Sequence, residues 1–182
     1  MPPKNPQSNQ RPVFLLSDST CRVKTAKRTR QIDYTSAGDG FGDKFNTEHP
    51  YHYLVAGVWS GGKVRHLVEL AKRMPAGAGC VLAVWMGNDY DDWHSSRQNI
   101  IDKFDELVEL LDQKSSDVRM QLLGNPKWWK YGAAFDKFVE GTTAAIQRKK
   151  YPASVTLEYG VELEQMNFQL NQELAHRRAG RP

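Results

Sequence analysis

The chain has 182 residues, 40% of them hydrophobic and 25% charged, with 25 basic against 21 acidic side chains and a formal charge of +4. Those figures exclude an intrinsically disordered chain and fit one domain able to bury a core without disulfides, metals or obligatory partners. The basic excess is too small to argue for nucleic acid by itself. Much of it is local, in Arg22, Lys24, Lys27, Arg28 and Arg30, then Arg148 to Lys150, then Arg177, Arg178 and Arg181, which read as solvated faces and tails. Cys21 and Cys80 belong to no Cys-x-x-Cys or Cys/His array, so no metal or cofactor is expected.

In chain order, residues 1–12 are polar and Pro-rich with no apolar leader-like run, and read as a tail preceding a domain over 13–176. Val13 to Leu16 is a short apolar run of the kind buried on both faces of a parallel sheet. Lys24 to Pro50 has little periodicity and reads as a long loop after a short basic helix. Tyr53 to Ala56 is a second strand, followed by a helical stripe through Val64, Leu67, Val68 and Ala71. Val81 to Met86 is a third, followed by the stripe Ile100, Phe104, Leu107, Val108 and Leu111. Val118 to Leu123 and the stripe Phe135, Phe138, Thr142, Ala145 and Ile146 come next. Val155 to Leu157, a last helix carrying Leu163, Met166, Leu170 and Leu174, and a basic tail over 177–182 complete the chain.

Doubly buried strands alternating with amphipathic helices predict a three-layer α/β/α sandwich around a five-stranded, mainly parallel sheet. No apolar run is long enough to span a bilayer, and an intracellular, cytoplasmic protein, or a domain cut from a longer one, is expected.

In such sheets ligands bind outside the carboxyl ends of the strands, so the segments that follow each strand are the ones to read for chemistry. The first is Ser17-Asp18-Ser19-Thr20. A serine there has its hydroxyl at the sheet edge with helix N–H groups nearby, although Asp-Ser-Thr equally favours a helix N-cap. The second, Gly57 to Gly62, allows close backbone approach to a ligand, or is a plain Gly-rich turn. The third, Gly87-Asn88-Asp89, offers a side-chain amide, or is again a turn.

In this order the three segments resemble the opening blocks of the SGNH (GDSL-like) hydrolase superfamily. Asp18-Ser19 is similar to its Gly-Asp-Ser block, with Ser17 in place of the glycine. Gly87-Asn88-Asp89 is similar to its Gly-x-Asn-Asp block, one residue shorter. The resemblance implies the flavodoxin-like SGNH hydrolase fold and a small ester or acyl substrate. It makes Ser19 the nucleophile, with the Gly61 backbone N–H and the Asn88 amide as oxyanion donors. The family's closing Asp-x-x-His is degenerate: Glu164 falls at the Asp position and Asn167 at the His position. Asparagine cannot accept and return a proton, so the resemblance leaves the general base unassigned.

His49, His52, His66 and His94 are substitutes from elsewhere in the chain, and His94, in the loop after the third strand, is the best placed. His176 reads as a solvated residue at a helix end. Asp89, Asp91, Asp92 and His94 are competent metal ligands without diagnostic spacing, and a polar rim whose acids favour the next helix's N-terminus is the preferred reading. Trp128 and Trp129, flanked by Lys127 and Lys130, form a candidate ligand rim on the same edge, or pack over it. Two functions follow: an esterase-like hydrolase, weakened by the lost His, or a catalytically inactive binding module for an acyl, glycan or nucleic-acid ligand.

Overall fold

The computed structural model describes residues 10–18, 32–34, 49, 51–59, 61–92, 97–122 and 132–159. In chain order the elements are β1 (Arg11–Ser17), β2 (Ile32–Tyr34), β3 (His52–Val58), α1 (Val64–Arg73) and β4 (Cys80–Trp85). A 3-10 turn (Asn88–Asp92), α2 (Arg97–Lys114), β5 (Val118–Leu122), α3 (Ala133–Gln147) and β6 (Val155–Tyr159) follow.

Five of the strands run parallel, side by side in the order β3-β1-β4-β5-β6. β1 lies between two strands made later in the chain, so the connection out of β1 and those after β3 run in opposite directions across the sheet. The gap between β1 and β4 is therefore the topological switch point, the place outside the carboxyl ends of the strands where such sheets bind their ligands. The five-stranded parallel sheet expected from the apolar runs is present. The structure adds β2, a three-residue antiparallel strand on β3 with Ile32 opposite Gly57 and Tyr34 opposite Val55, inside the segment read as a long loop. A strand that short carries too few residues to show a period of two.

The three described helices form where the stripes place them. Val64, Leu67, Val68 and Ala71 of α1, Ile100, Phe104, Leu107, Val108 and Leu111 of α2, and Phe135, Phe138, Thr142 and Ile146 of α3 are all buried, Ala145 of the third stripe is half-buried, and the stripe from Leu163 to Leu174 lies outside the described residues. The three helices pack on the sheet face that presents Phe14, Leu16, Val55, Val81, Ala83, Trp85, Val118, Met120 and Leu122. The alternate strand residues Val13, Leu15, Leu54, Leu82 and Val84 point to the other face and are at most 1% exposed. Both faces are thus covered, as in a three-layer α/β/α sandwich, which is why these strands read as continuous apolar runs.

α1 stops before Met74-Pro75, since proline cannot continue a helix. Its C-terminal carbonyls are collected by one side chain from the end of α2. Lys114 Nζ donates to Ala71 O at 2.7 Å, Lys72 O at 3.0 Å and Met74 O at 2.6 Å. A cation at that end also complements the helix dipole.

Candidate active site

The register sets the carboxyl ends of β3, β1 and β4 side by side, with Ser17 opposite Val58 and Leu16 opposite Ala83. Pairing extends one step past the strands, because Trp59 N–H donates to Ser17 O at 3.0 Å. The chain after β3 then reverses: Gly62 N–H donates to Trp59 O at 2.8 Å, and Gly61 adopts φ +64°, a conformation that costs a glycine nothing. Gly62 is crowded in a different way. A Cβ there would lie 2.8 Å from Trp59 O, so the absence of a side chain is what lets the turn over 59–62 close, while Asp18 Cβ, at 3.5 Å, would stand at ordinary contact distance.

From β4 the chain enters the site through Gly87, at φ +79°, packed so tightly that a Cβ would stand 2.8 Å from Phe135 Cζ of α3. Tyr90 N–H donates to Gly87 O at 3.0 Å, and the Tyr90 ring meets Phe135 edge-on at 5.4 Å, which anchors the 3-10 turn to α3. This turn carries Asn88. Its Nδ2 donates to Asp18 Oδ2 at 2.7 Å and to Gly62 O at 3.0 Å, so both amide hydrogens are engaged and one side chain ties the three loops together.

Asp89, the next residue, is buried and turns toward α1. Its carboxylate accepts from Trp85 Nε1 at 2.7 Å and from Val64 N–H at 3.1 and 3.3 Å. Burial raises its pKa above the ordinary value, opposed by the hydrogen bonds from Trp85 and Val64 and by the Lys63 charge. The acid expected to serve the following helix therefore caps the preceding one, α1, because the loop after β4 folds back over the loop after β3.

At the end of the same loop, His66 Nδ1 accepts from Lys63 N–H at 3.0 Å. The His66 ring is stacked on Trp59 with centroids 4.5 Å apart and planes at 12°. The Arg73 guanidinium lies over the Trp59 ring at 6.0 Å.

Of the residues picked out by the sequence, the structure brings Gly61 and Asn88 to one edge, next to Asp18. Ser19, His94, Trp128, Trp129, Glu164, Asn167 and His176 lie outside the described residues. Sequence reasoning missed Asp18 as the acceptor for Asn88, and Asp89 and His66 as supports. Only the Trp85/Asp89 spacing carried a local signal, an indole donor four positions ahead of a carboxylate. Among the described residues Gly62 N–H is consumed by its turn while Gly61 N–H has no acceptor, which distinguishes the two glycines as donors. No group of three or more His, Cys, Asp or Glu among the described residues is arranged to hold a metal ion. No described helix is long and apolar enough to cross a membrane.

No family model matches the chain. A stretch of 87 residues, 48% of the chain, is 31% identical to TNFAIP3-interacting protein 2 of Homo sapiens, and the match spans 19% of that protein's length. Among solved structures the chain is similar to LAE5, an alpha/beta hydrolase enzyme from the metagenome of Lake Arreo, at 14% identity and a TM-score of 0.58, covering 91% of this chain and 81% of that one. It is also similar to AlinE4, an SGNH-hydrolase family esterase, at 11% identity and a TM-score of 0.57, covering 97% of this chain and 100% of that one. A lipolytic protein of the G-D-S-L family from Veillonella parvula matches at 13% identity and a TM-score of 0.53, covering 75% and 70%. At these identities the similarity is one of architecture, and the architecture of this chain is the SGNH hydrolase fold.

Proposed function

We propose that this chain is an SGNH-type serine esterase-like hydrolase of small ester or acyl substrates, with residues 13–176 as the hydrolase unit. The observation that carries the reading is the Asn88 amide, which joins Asp18, the neighbour of Ser19, to Gly62, the neighbour of Gly61. Three segments that follow three strands are thereby joined, which supports an acyl-transfer site at this edge.

In this reading Ser19 Oγ adds to the substrate carbonyl carbon, and the carbonyl electron pair moves onto oxygen. Gly61 N–H and Asn88 Nδ2 receive the oxyanion, with Asn88 giving up one of its two present acceptors as the charge develops. The proton that Ser19 Oγ loses passes to the departing alcohol as the intermediate collapses to the acyl-serine, and water then releases the acid, returning a proton to Ser19. By the resemblance, Glu164 and Asn167 fall at the dyad positions. Asn167 moves no proton, so His94 is the candidate substitute base and turnover is slow.

The test is hydrolysis of short-chain p-nitrophenyl esters by the wild type beside Ser19→Ala and His94→Ala. Turnover abolished in Ser19→Ala supports a serine hydrolase, and its loss in His94→Ala identifies the base. Equal background in the wild type and Ser19→Ala would remove the hydrolase reading.

A further inference from the structure

We infer that His66 is a positioning residue that clasps the glycine loop of the site, an inference whose catalytic consequence rests on the hydrolase reading. Loop 59–63 joins β3 to α1 and contains two adjacent glycines, so little in its own covalent geometry fixes where the Gly61 N–H points. An oxyanion donor acts only if it is held in place before charge develops.

The His66 imidazole holds both ends of that loop. Its face is stacked on Trp59, the first loop residue, at 4.5 Å and 12°. Its Nδ1 accepts the N–H of Lys63, the last loop residue, at 3.0 Å, while His66 N–H donates to Lys63 O at 2.9 Å. Nδ1 therefore carries a lone pair and no proton. One rigid ring thus fixes the separation of Trp59 and Lys63, with Gly61 suspended between them. Both contacts are separate from the bond that Asn88 makes to Gly62 O in the same loop.

Two substitutions separate the clasp's parts in the 182-residue chain. His66→Phe keeps a flat ring against Trp59 and removes the acceptor. His66→Asn places Oδ1 where Nδ1 stands and removes the stack. The readouts are hydrogen exchange of the Lys63 amide by NMR and kcat and KM for a short p-nitrophenyl ester. We expect His66→Phe to speed Lys63 exchange about fivefold or more. It should also lower kcat roughly tenfold with KM unchanged. His66→Asn should restore the Lys63 protection. Lys63 exchange unchanged in His66→Phe overturns the clasp, and faster exchange with unchanged kcat overturns its positioning role. A wild type without turnover whose Lys63 still responds to His66→Phe removes the hydrolase reading and leaves the clasp standing.

Discussion

Asn88 Nδ2 stands 2.7 Å from Asp18 Oδ2 across 70 positions of chain, and the same nitrogen is 3.0 Å from Gly62 O. A neutral amide facing a carboxylate makes a charge-assisted bond, stronger than an ordinary one. Truncation in Asn88→Ala leaves Asp18 and Gly62 without this donor, a loss of about 1–3 kcal/mol. Urea unfolding should show that decrease, and kcat for a short ester should fall by about a hundredfold or more if the amide also serves the oxyanion. Retention of full kcat in the folded variant would assign Asn88 to structure alone.

The dyad makes a gain-of-function prediction. Asn167→His supplies an imidazole at the position where the resemblance expects the base, with Glu164 three residues before it to orient the ring. Ester turnover should rise by about a hundredfold, dependent on Ser19. No rise would mean that residue 167 does not face Ser19.

Asp89 makes stability depend on pH in a direction opposite to that of a salt-bridged acid. Its folded pKa lies above the ordinary 3.8, so the folded chain holds the proton more tightly than the unfolded one. The contribution is complete below 3.8 and is lost as pH rises through the higher folded value. Urea unfolding of wild type and Asp89→Asn from pH 3 upward should show the wild type's relative stability declining over that window, since the amide does not titrate. A relative stability that grows with pH would contradict burial as the dominant cause.

Gly87→Ala combines two penalties. A left-handed φ of +79° costs an alanine about 1–2 kcal/mol. The added methyl meets Phe135 Cζ at 2.8 Å and Val139 Cγ2 at 3.2 Å, an overpacking cost of about 1–3 kcal/mol. Thermal unfolding should drop accordingly, and Phe135→Leu in the same chain should recover the steric part only.

Lys114→Met separates stability from the site. Its ammonium serves three carbonyls at the far end of α1, so its loss should cost about 1.5–3 kcal/mol in urea unfolding. Ester kinetics should be unaltered where the variant is folded.

The fold was largely legible because doubly buried strands and striped helices write their burial into local spacing: Val13 to Leu16 and Ile100 to Leu111 could hardly be anything else. β2 left no trace, since three residues paired at a sheet edge owe their conformation to β3 and not to their own pattern. In the candidate site, that Gly61 and Asn88 stand at the same sheet edge was readable from their positions after two strands. Their supports were not. Whether Asp89 reaches the next helix or the previous one, and whether His66 faces a ligand or Trp59, depends on how two loops cross in space, and no spacing in one dimension encodes that.

The placement of β1 between β3 and β4 also bears on biosynthesis. β1 is translated before both of its hydrogen-bonding neighbours, and β4 follows only at residues 80–85. The run Val13 to Leu16 must therefore remain unpaired on a growing chain while the partners emerge, a state that favours aggregation or the attention of a chaperone. The edge that carries Asp18 can close only when β4 slides in beside it, so ribosome-bound chains that stop short of Asn88 should bind chaperones more persistently than longer ones.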